Sequence, residues 1–466
     1  MPKSYSSLVR HPENAALFKA IEMSILATQH GQPLHLHAEG LRGTGKTTII
    51  RSAKDILPRI ERVKGCLYNC DPQAPHCPEH RSLDYAQLTR IGTEWMPMPF
   101  LEISHSSKVA TVVGGIDLQK LTDRGHPEAA LLPGTLAKAH RGIVFVDEIN
   151  RLADTSPEIA DVLLDVMGTK PGRLQIEDAG LPKVELTSLV TVWAASNPDE
   201  DPGPLEGIRR QLADRFDLSI DVRRPNRLST LLAILEQANQ PVNLRSTDSQ
   251  LAVSSRLSAA MNRLIEIQLD EGTLHFLARM YLDHGLESLR ALEAIMLGLR
   301  MHASLEGKAA VDLDDLRTVI PMALKHRTAP HVLSDIMESL QILQSAAVAA
   351  EHPSPEPEPA AKQPAASGEP ARRWGEPDSE PSPQNLLSRL FGSRRERQPE
   401  EPQPVSEAGL VPNVEPWPPG SEREGGTSIA DPSTLTIIAP PNAANTMEQV
   451  AESKLVMSEE ALRRGD

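Results

Sequence analysis

The sequence predicts a mixed α/β protein: a parallel sheet flanked by helices, followed by an all-α region and a disordered tail. Three observations lead there. Up to about Val222, short apolar runs of strand length alternate with longer stretches of helical periodicity. Beyond Arg224-Pro225 the strand-like runs stop, and from Leu228 to about Ala350 the pattern is one of helices joined by short polar connections. After residue 350 the composition changes: 19 of the 40 prolines and −9 of the net charge of −15 fall in residues 351–466. Such a segment, rich in Pro, Glu and Ser and poor in aromatics, buries too little apolar surface to offset its ordering entropy. The expected division is therefore 1–225 for the α/β domain, 226–350 for the helical domain and 351–466 for the tail.

In chain order, strands are expected over 34–38, 142–147 and 189–195, each ending at polar residues where a parallel sheet places its ligand. Helices are expected from Lys46 onward, over 157–167 and over 205–215, and in the second domain over 274–282, 288–305 and 313–326. Two apolar islands, 384–391 and 446–464, interrupt the tail; they read either as chance clusters in a linker or as docking peptides. No run of 18 or more apolar residues offers a membrane span, and the first ten residues lack a secretory pattern, so a cytoplasmic protein is expected. A pI near 5.5 gives no general attraction for nucleic acid.

The strongest chemical signal is Gly40-Leu41-Arg42-Gly43-Thr44-Gly45-Lys46-Thr47, a full G-x-x-x-x-G-K-[ST] pattern between a predicted strand and a predicted helix. Glycines let backbone N–H groups wrap a phosphate, Lys46 reaches the β- and γ-phosphates, and the Thr47 hydroxyl ligates Mg²⁺ at the helix N-terminus, with Thr48 next to it. About 100 residues later, the apolar run from Gly142 ends in Asp147-Glu148. Asp147 is suited to hold the magnesium shell and Glu148 to polarise the water that attacks the γ-phosphate. A third run ends in Ser196-Asn197-Pro198, where Asn197 either orients that water as a neutral donor and acceptor or forms an ordinary turn. Arg209, Arg210 and Arg215 follow; a guanidinium stabilises the spread charge of a phosphoryl transition state, whereas a lone surface Arg is usually a salt bridge.

Taken together, these residues resemble an AAA+ ATPase, with Walker A at 40–47, Walker B at 143–148 and sensor 1 at Asn197. More narrowly, Val112-Val113-Gly114-Gly115-Ile116-Asp117-Leu118, the Leu132-Pro133-Gly134-Thr135 lead through Ala139-His140-Arg141-Gly142, and Gln211-Leu212-Ala213-Asp214-Arg215-Phe216 are similar to the ATPase I subunit of magnesium chelatase. The resemblance covers about residues 5–330. It implies hexameric rings with ATP at subunit interfaces, an arginine finger at Arg215 (or Arg210) acting on the neighbour's nucleotide, Arg290 in the lid as sensor 2, and a hairpin over 172–187. It further implies an ATP-hydrolysing motor that drives magnesium insertion into protoporphyrin by a partner, with D-type (integrin-like) and H-type (porphyrin-binding) subunits beside it. A MoxR-like ATPase that remodels or metal-loads another protein shares the same fold and site and remains the alternative.

Two further groups stand apart. All three cysteines fall in Cys66-x3-Cys70-x6-Cys77-x2-His80, four ligands suited to structural Zn²⁺; free thiols or a redox cluster are the other readings. His35 and His37, two apart before the glycine-rich loop, share a strand face and are expected to pack rather than bind metal.

Overall fold

The computed structural model describes residues 4–116, 131–176, 184–199, 201–239 and 247–351. The tail and its two islands lie outside the described residues, as do Asp117, Leu118 and the tip of the 172–187 hairpin.

The strands in chain order are β1 (Leu36–Glu39), β2 (Arg59–Val63), β3 (Thr93–Pro97), β4 (Phe100–Ile103), β5 (Gly114–Ile116), β6 (Leu131–Pro133), β7 (Gly142–Val146), β8 (Gly172–Ile176), β9 (Val184–Ser188), β10 (Val190–Ser196) and β11 (Leu218–Asp221). Five of them form a parallel sheet in the order β11-β1-β10-β7-β4. In register, Leu36 lies opposite Trp193 and Leu218, Val190 opposite Gly142, and Phe100 opposite Ile143. The three strands expected from sequence are the three central ones. β7 and β10 are apolar and buried throughout, as strands covered on both faces need to be, whereas β1 is four residues long, carries His37 and Glu39, and is marked instead by the glycine-rich motif that follows it. The flanking β4 and β11, four residues each, carry too few positions for a periodic signal.

Alternation along the strands divides the core. Ile143, Phe145, Trp193 and Ala195 face one side, together with Leu36, Ala38, Leu218 and Ile220; helix Pro12–Gln29 and helices of the C-terminal region pack there. Val144, Val146, Val192 and Ala194 face the other, against helices Ile149–Thr155 and Pro157–Val166. The result is three layers, helix over sheet over helix.

Helix Pro12–Gln29 was not legible in the sequence. It is apolar nearly all round, so no stripe marks it, and even Glu22 is buried, paired with Arg10 at 2.8 Å and with Arg256 from helix Thr247–Arg263. The C-terminal helices expected from sequence are present as Glu271–Asp283, Leu289–Leu305 and Leu313–Leu324, the last opened by an Asp312 cap whose carboxylate accepts from the Asp314 and Asp315 amides. The expected single helix over 205–215 is two, Leu205–Ile208 and Arg210–Arg215, parted at Arg209 where the backbone leaves the helical region. Antiparallel hairpins pair β2 with β3, β5 with β6 and β8 with β9. The β5–β6 pairing brings Gly114 opposite Pro133, so two of the sequence motifs singled out above meet in space. Among the described residues no helix is long and apolar enough to cross a membrane.

Candidate nucleotide site

β1 feeds the glycine-rich loop into helix Lys46–Ser52. Two glycines are required by the turn. At Gly40 the backbone has φ of 153°, and a Cβ would stand 2.1 Å from the Val222 carbonyl oxygen at the end of β11. Gly45, with φ of 91°, precedes the helix in the left-handed region and offers no side chain to cap the first helical N–H groups. Lys46 is buried and donates to the carbonyls of Gly40 and Leu41, the latter at 2.8 Å, so its ammonium is already held over the loop.

β10 lies between β1 and β7, so the ends of three strands converge. The Thr47 hydroxyl donates to Asp147 Oδ1 at 3.2 Å across a separation of 100 residues. Burial raises the Asp147 pKa, with the adjacent Glu148 adding to it, while the Arg51 guanidinium and the Thr47 hydrogen bond oppose the shift. Glu148 caps helix Ile149–Thr155 with φ of 54°, a left-handed conformation that costs a residue bearing a β-carbon about 1 kcal/mol or more. That backbone turns its carboxylate away from the sheet toward His105 at 3.9 Å and Arg151 at 3.2 Å. Asn197 follows β10 with its side-chain oxygen accepting from the Asp199 amide at 3.4 Å. Gly43, Thr44, Lys46, Thr47, Asp147, Glu148 and Asn197 all border one cavity of about 290 Å³, which Thr48 also lines. Thr47 and Asp147 offer a pair of hard oxygen donors at a helix N-terminus, a set that fits a magnesium ion carried with a polyphosphate.

Three neighbours escaped the sequence reading. Arg51 donates to Asp147 at 3.3 Å and to Glu102 at 3.0 Å; its signal was the i,i+4 spacing from Thr47, which puts both on one helix face. Asn150 donates to the carbonyls of Asn197 and Gly203, at 3.2 and 3.1 Å, tying the β7 and β10 loops together. Arg42 lines the same cavity from within the glycine-rich loop.

The arginines named from sequence are not at this cavity. Arg215 ends its short helix just before β11, and Arg290 donates to the Gly168 carbonyl at 2.6 Å. The two guanidiniums are close enough that, after burial, the Arg290 charge is the next cause lowering the Arg215 pKa. Both belong to the end of the sheet where β1 begins, away from the loop that follows its end; Arg290 also acts on His35 there. Arg210 is exposed, and Arg209 pairs with Asp161 at 2.9 Å.

His35 and His37 pack. Val192 N–H donates to His35 Nδ1 at 3.0 Å, and His37 Nε2 is hydrogen-bonded to the Ser196 hydroxyl at 2.8 Å. Burial pushes both down to about 4, so both are neutral at pH 7.

The chain is similar in sequence to known proteins of one family. Residues 18–200 match the family model described as magnesium chelatase, subunit ChlI, and residues 275–345 match that of the AAA lid domain. The magnesium-chelatase 38 kDa subunit of Acidiphilium rubrum is 32% identical over 313 residues, 66% of this chain and 86% of the relative. The subunit of the same name from Cereibacter sphaeroides is 31% identical over 294 residues, 62% of this chain and 82% of the relative. A cryo-EM-based structure of the complex between subunits BchI and BchD of magnesium chelatase is 27% identical, with 72% of this chain and 100% of that one covered and a TM-score of 0.38. On the strength of the sequence relatives and the family model, the chain belongs to the magnesium-chelatase subunit I family, in the chelatase branch of the AAA+ ATPases.

Proposed function

We propose that this chain is an ATP-hydrolysing motor whose ring rearrangements drive magnesium insertion into a porphyrin by a separate subunit. The observation that carries the reading is the convergence of Thr47, Asp147, Glu148 and Asn197 on the cavity bordered by the glycine-rich loop. These residues come from three chain segments remote in sequence, and all are chemically suited to phosphoryl transfer.

In this reading the backbone N–H groups from Gly43 to Thr48 and the Lys46 ammonium hold the β- and γ-phosphates. Thr47 and Asp147 would be the protein ligands of a magnesium ion, which when bound would supply charge neutralisation for the phosphates. Glu148, turned out by its left-handed backbone, accepts a proton from the attacking water, and Asn197 orients that water. Arg215, with Arg290 beside it, lies at the far end of the sheet, which suits presentation to the nucleotide of the next subunit in a hexameric ring rather than to its own. D-type and H-type chelatase subunits are the partners this reading requires. The helices of 226–350 would serve as the lid and 351–466 as a tether that adds no ATPase chemistry.

The test is a pair of substitutions read by nucleotide binding and phosphate release. Lys46→Ala should abolish binding. Glu148→Gln should bind ATP with native affinity and hydrolyse it at least about 100-fold more slowly. Native turnover by Glu148→Gln would show that another group activates the water.

A further inference from the structure

We infer that Cys66, Cys70, Cys77 and His80 hold a structural zinc ion that locks the 64–84 loop against the segment entering β7. The inference stands apart from the nucleotide site and does not depend on it.

The loop leaves β2 at Val63 and is folded to bring distant ligands together. Cys66 N–H donates to the Val63 carbonyl at 3.1 Å, and Val63 N–H in turn donates to the Cys70 carbonyl at 3.0 Å. Asn69, at φ of 52°, makes the return turn between them. Further on, His80 and Arg81 both donate to the Cys77 carbonyl, at 3.1 and 2.9 Å, a single helical turn that sets Cys77 and His80 side by side. The outcome is that three Sγ atoms and one imidazole nitrogen all lie within 4.8 Å of one another. Cys66 and Cys77 Sγ are 3.9 Å apart, and Cys77 Sγ is 3.0 Å from His80 Nδ1. Zn–S bonds of about 2.3 Å in a tetrahedron place sulfurs about 3.8 Å apart, so the first separation is already that of a zinc site.

Several features favour a closed metal site over three incidental thiols. All four residues are buried, the cysteines at 0–1% exposure, and none is in a disulfide. Thiols packed only as small apolar groups need no common centre and no imidazole directed at one. Cys70 Sγ accepts from two backbone N–H groups, those of His76 and Cys77, each at 3.3 Å, an arrangement that stabilises a metal-bound thiolate. Four protein ligands from soft sulfur and borderline nitrogen, with no place left for water, are the signature of structural rather than catalytic zinc. His76 also approaches Cys70 Sγ at 3.4 Å, but its ring stacks on His140 at 3.7 Å and is outside the four-atom cluster.

The loop so fixed grips the lead into β7. Asn69 donates to the Lys138 carbonyl at 2.6 Å, Asp71 pairs with Arg141 at 3.2 Å, and Arg141 donates to the Glu61 carbonyl at 2.6 Å. Zinc at the cluster would therefore hold the start of the strand whose far end carries Asp147.

The full chain, expressed untagged in zinc-supplemented medium and passed through gel filtration, is analysed by plasma mass spectrometry and titrated with an organomercurial in the presence of a zinc-binding dye. The expected result is about one zinc per chain, released in step with modification of three thiols. Cys70→Ser and His80→Ala should lose the metal, whereas His76→Ala should keep it. Should the first two variants fail to fold, the mercurial release from the unaltered chain still decides. Less than about half an equivalent of zinc, iron in its place, zinc that stays bound after all three thiols react, or immediate reaction of the native thiols with a disulfide reagent would each overturn the assignment.

Discussion

Asp147 and Glu148 are adjacent in sequence yet meet different partners, and the backbone separates them. Asp147 ends a strand and points at Thr47, while Glu148, in the left-handed region, points out toward His105 and Arg151. Motif spacing made both legible, because the chemistry of a phosphate site restricts which side chain can stand at a strand end. Arg51 was not legible as a member of the site: an arginine on an exposed helix face has many uses, and only the fold shows it bridging Asp147 and Glu102. Asn197 lines the cavity beside Glu148 while its side-chain oxygen accepts from the Asp199 amide, so a turn and a water-orienting role both fit its place. Asn197→Ala should lower turnover about 100-fold with little change in ATP affinity, measured by steady-state hydrolysis and equilibrium binding. Native turnover in that variant would return Asn197 to a turn residue.

Individual elements are positioned by contacts that a local reading reaches unevenly. β7 and β10 announce themselves because strands buried on both faces must be apolar throughout, and β1 because the glycine-rich motif follows it. Helix Pro12–Gln29 is hidden for a related reason: burial on nearly every side erases the stripe by which a helix is recognised. The placement of Arg290 was equally out of reach, since it depends on how helix Leu289–Leu305 docks and not on anything within that helix. The glycine-rich loop shows the strongest constraint at this scale. Gly40 passes so close to Val222 that any side chain must displace the end of β11 or of β1, and its φ of 153° is one that L-residues rarely adopt. Gly40→Ala should therefore lower stability by about 2 kcal/mol and weaken ATP binding along with it. Thermal unfolding and nucleotide titration of the same preparation would check both, and an unshifted melting point would mean that the strands have more slack than this contact implies.

The whole molecule carries its charge unevenly. The acidic excess is concentrated in residues 351–466, whereas the cavity is bordered by Lys46 and the glycine-rich loop. The buried interior instead governs the response to acid. His35 and His37 are held at about 4 by burial, below the ordinary 6.5, so between those values the unfolded chain binds protons that the folded chain does not. Stability should thus fall as pH drops below 6.5, by up to about 1.4 kcal/mol per pH unit for each histidine. Asp217 acts at lower pH. Burial alone would raise its pKa, but Lys170 at 2.8 Å and the His35 amide at 2.7 Å hold it below 3.8, so its contribution is present above that value and is lost as pH falls through the folded one. Urea midpoints should decline from pH 7 to pH 5.5, and His37→Gln should flatten part of that slope; a constant midpoint would contradict the neutral buried histidines.

Catalysis by the assembled complex bears most directly on the claim that this chain is the motor of a chelatase. Magnesium insertion into protoporphyrin is followed by the absorbance of the product, with candidate D-type and H-type subunits, ATP and Mg²⁺ present, and with this chain supplied, omitted or replaced by Glu148→Gln. The account predicts insertion only with the unaltered chain. Equal insertion in its absence, or full insertion with a Glu148→Gln chain that no longer hydrolyses ATP, would contradict it.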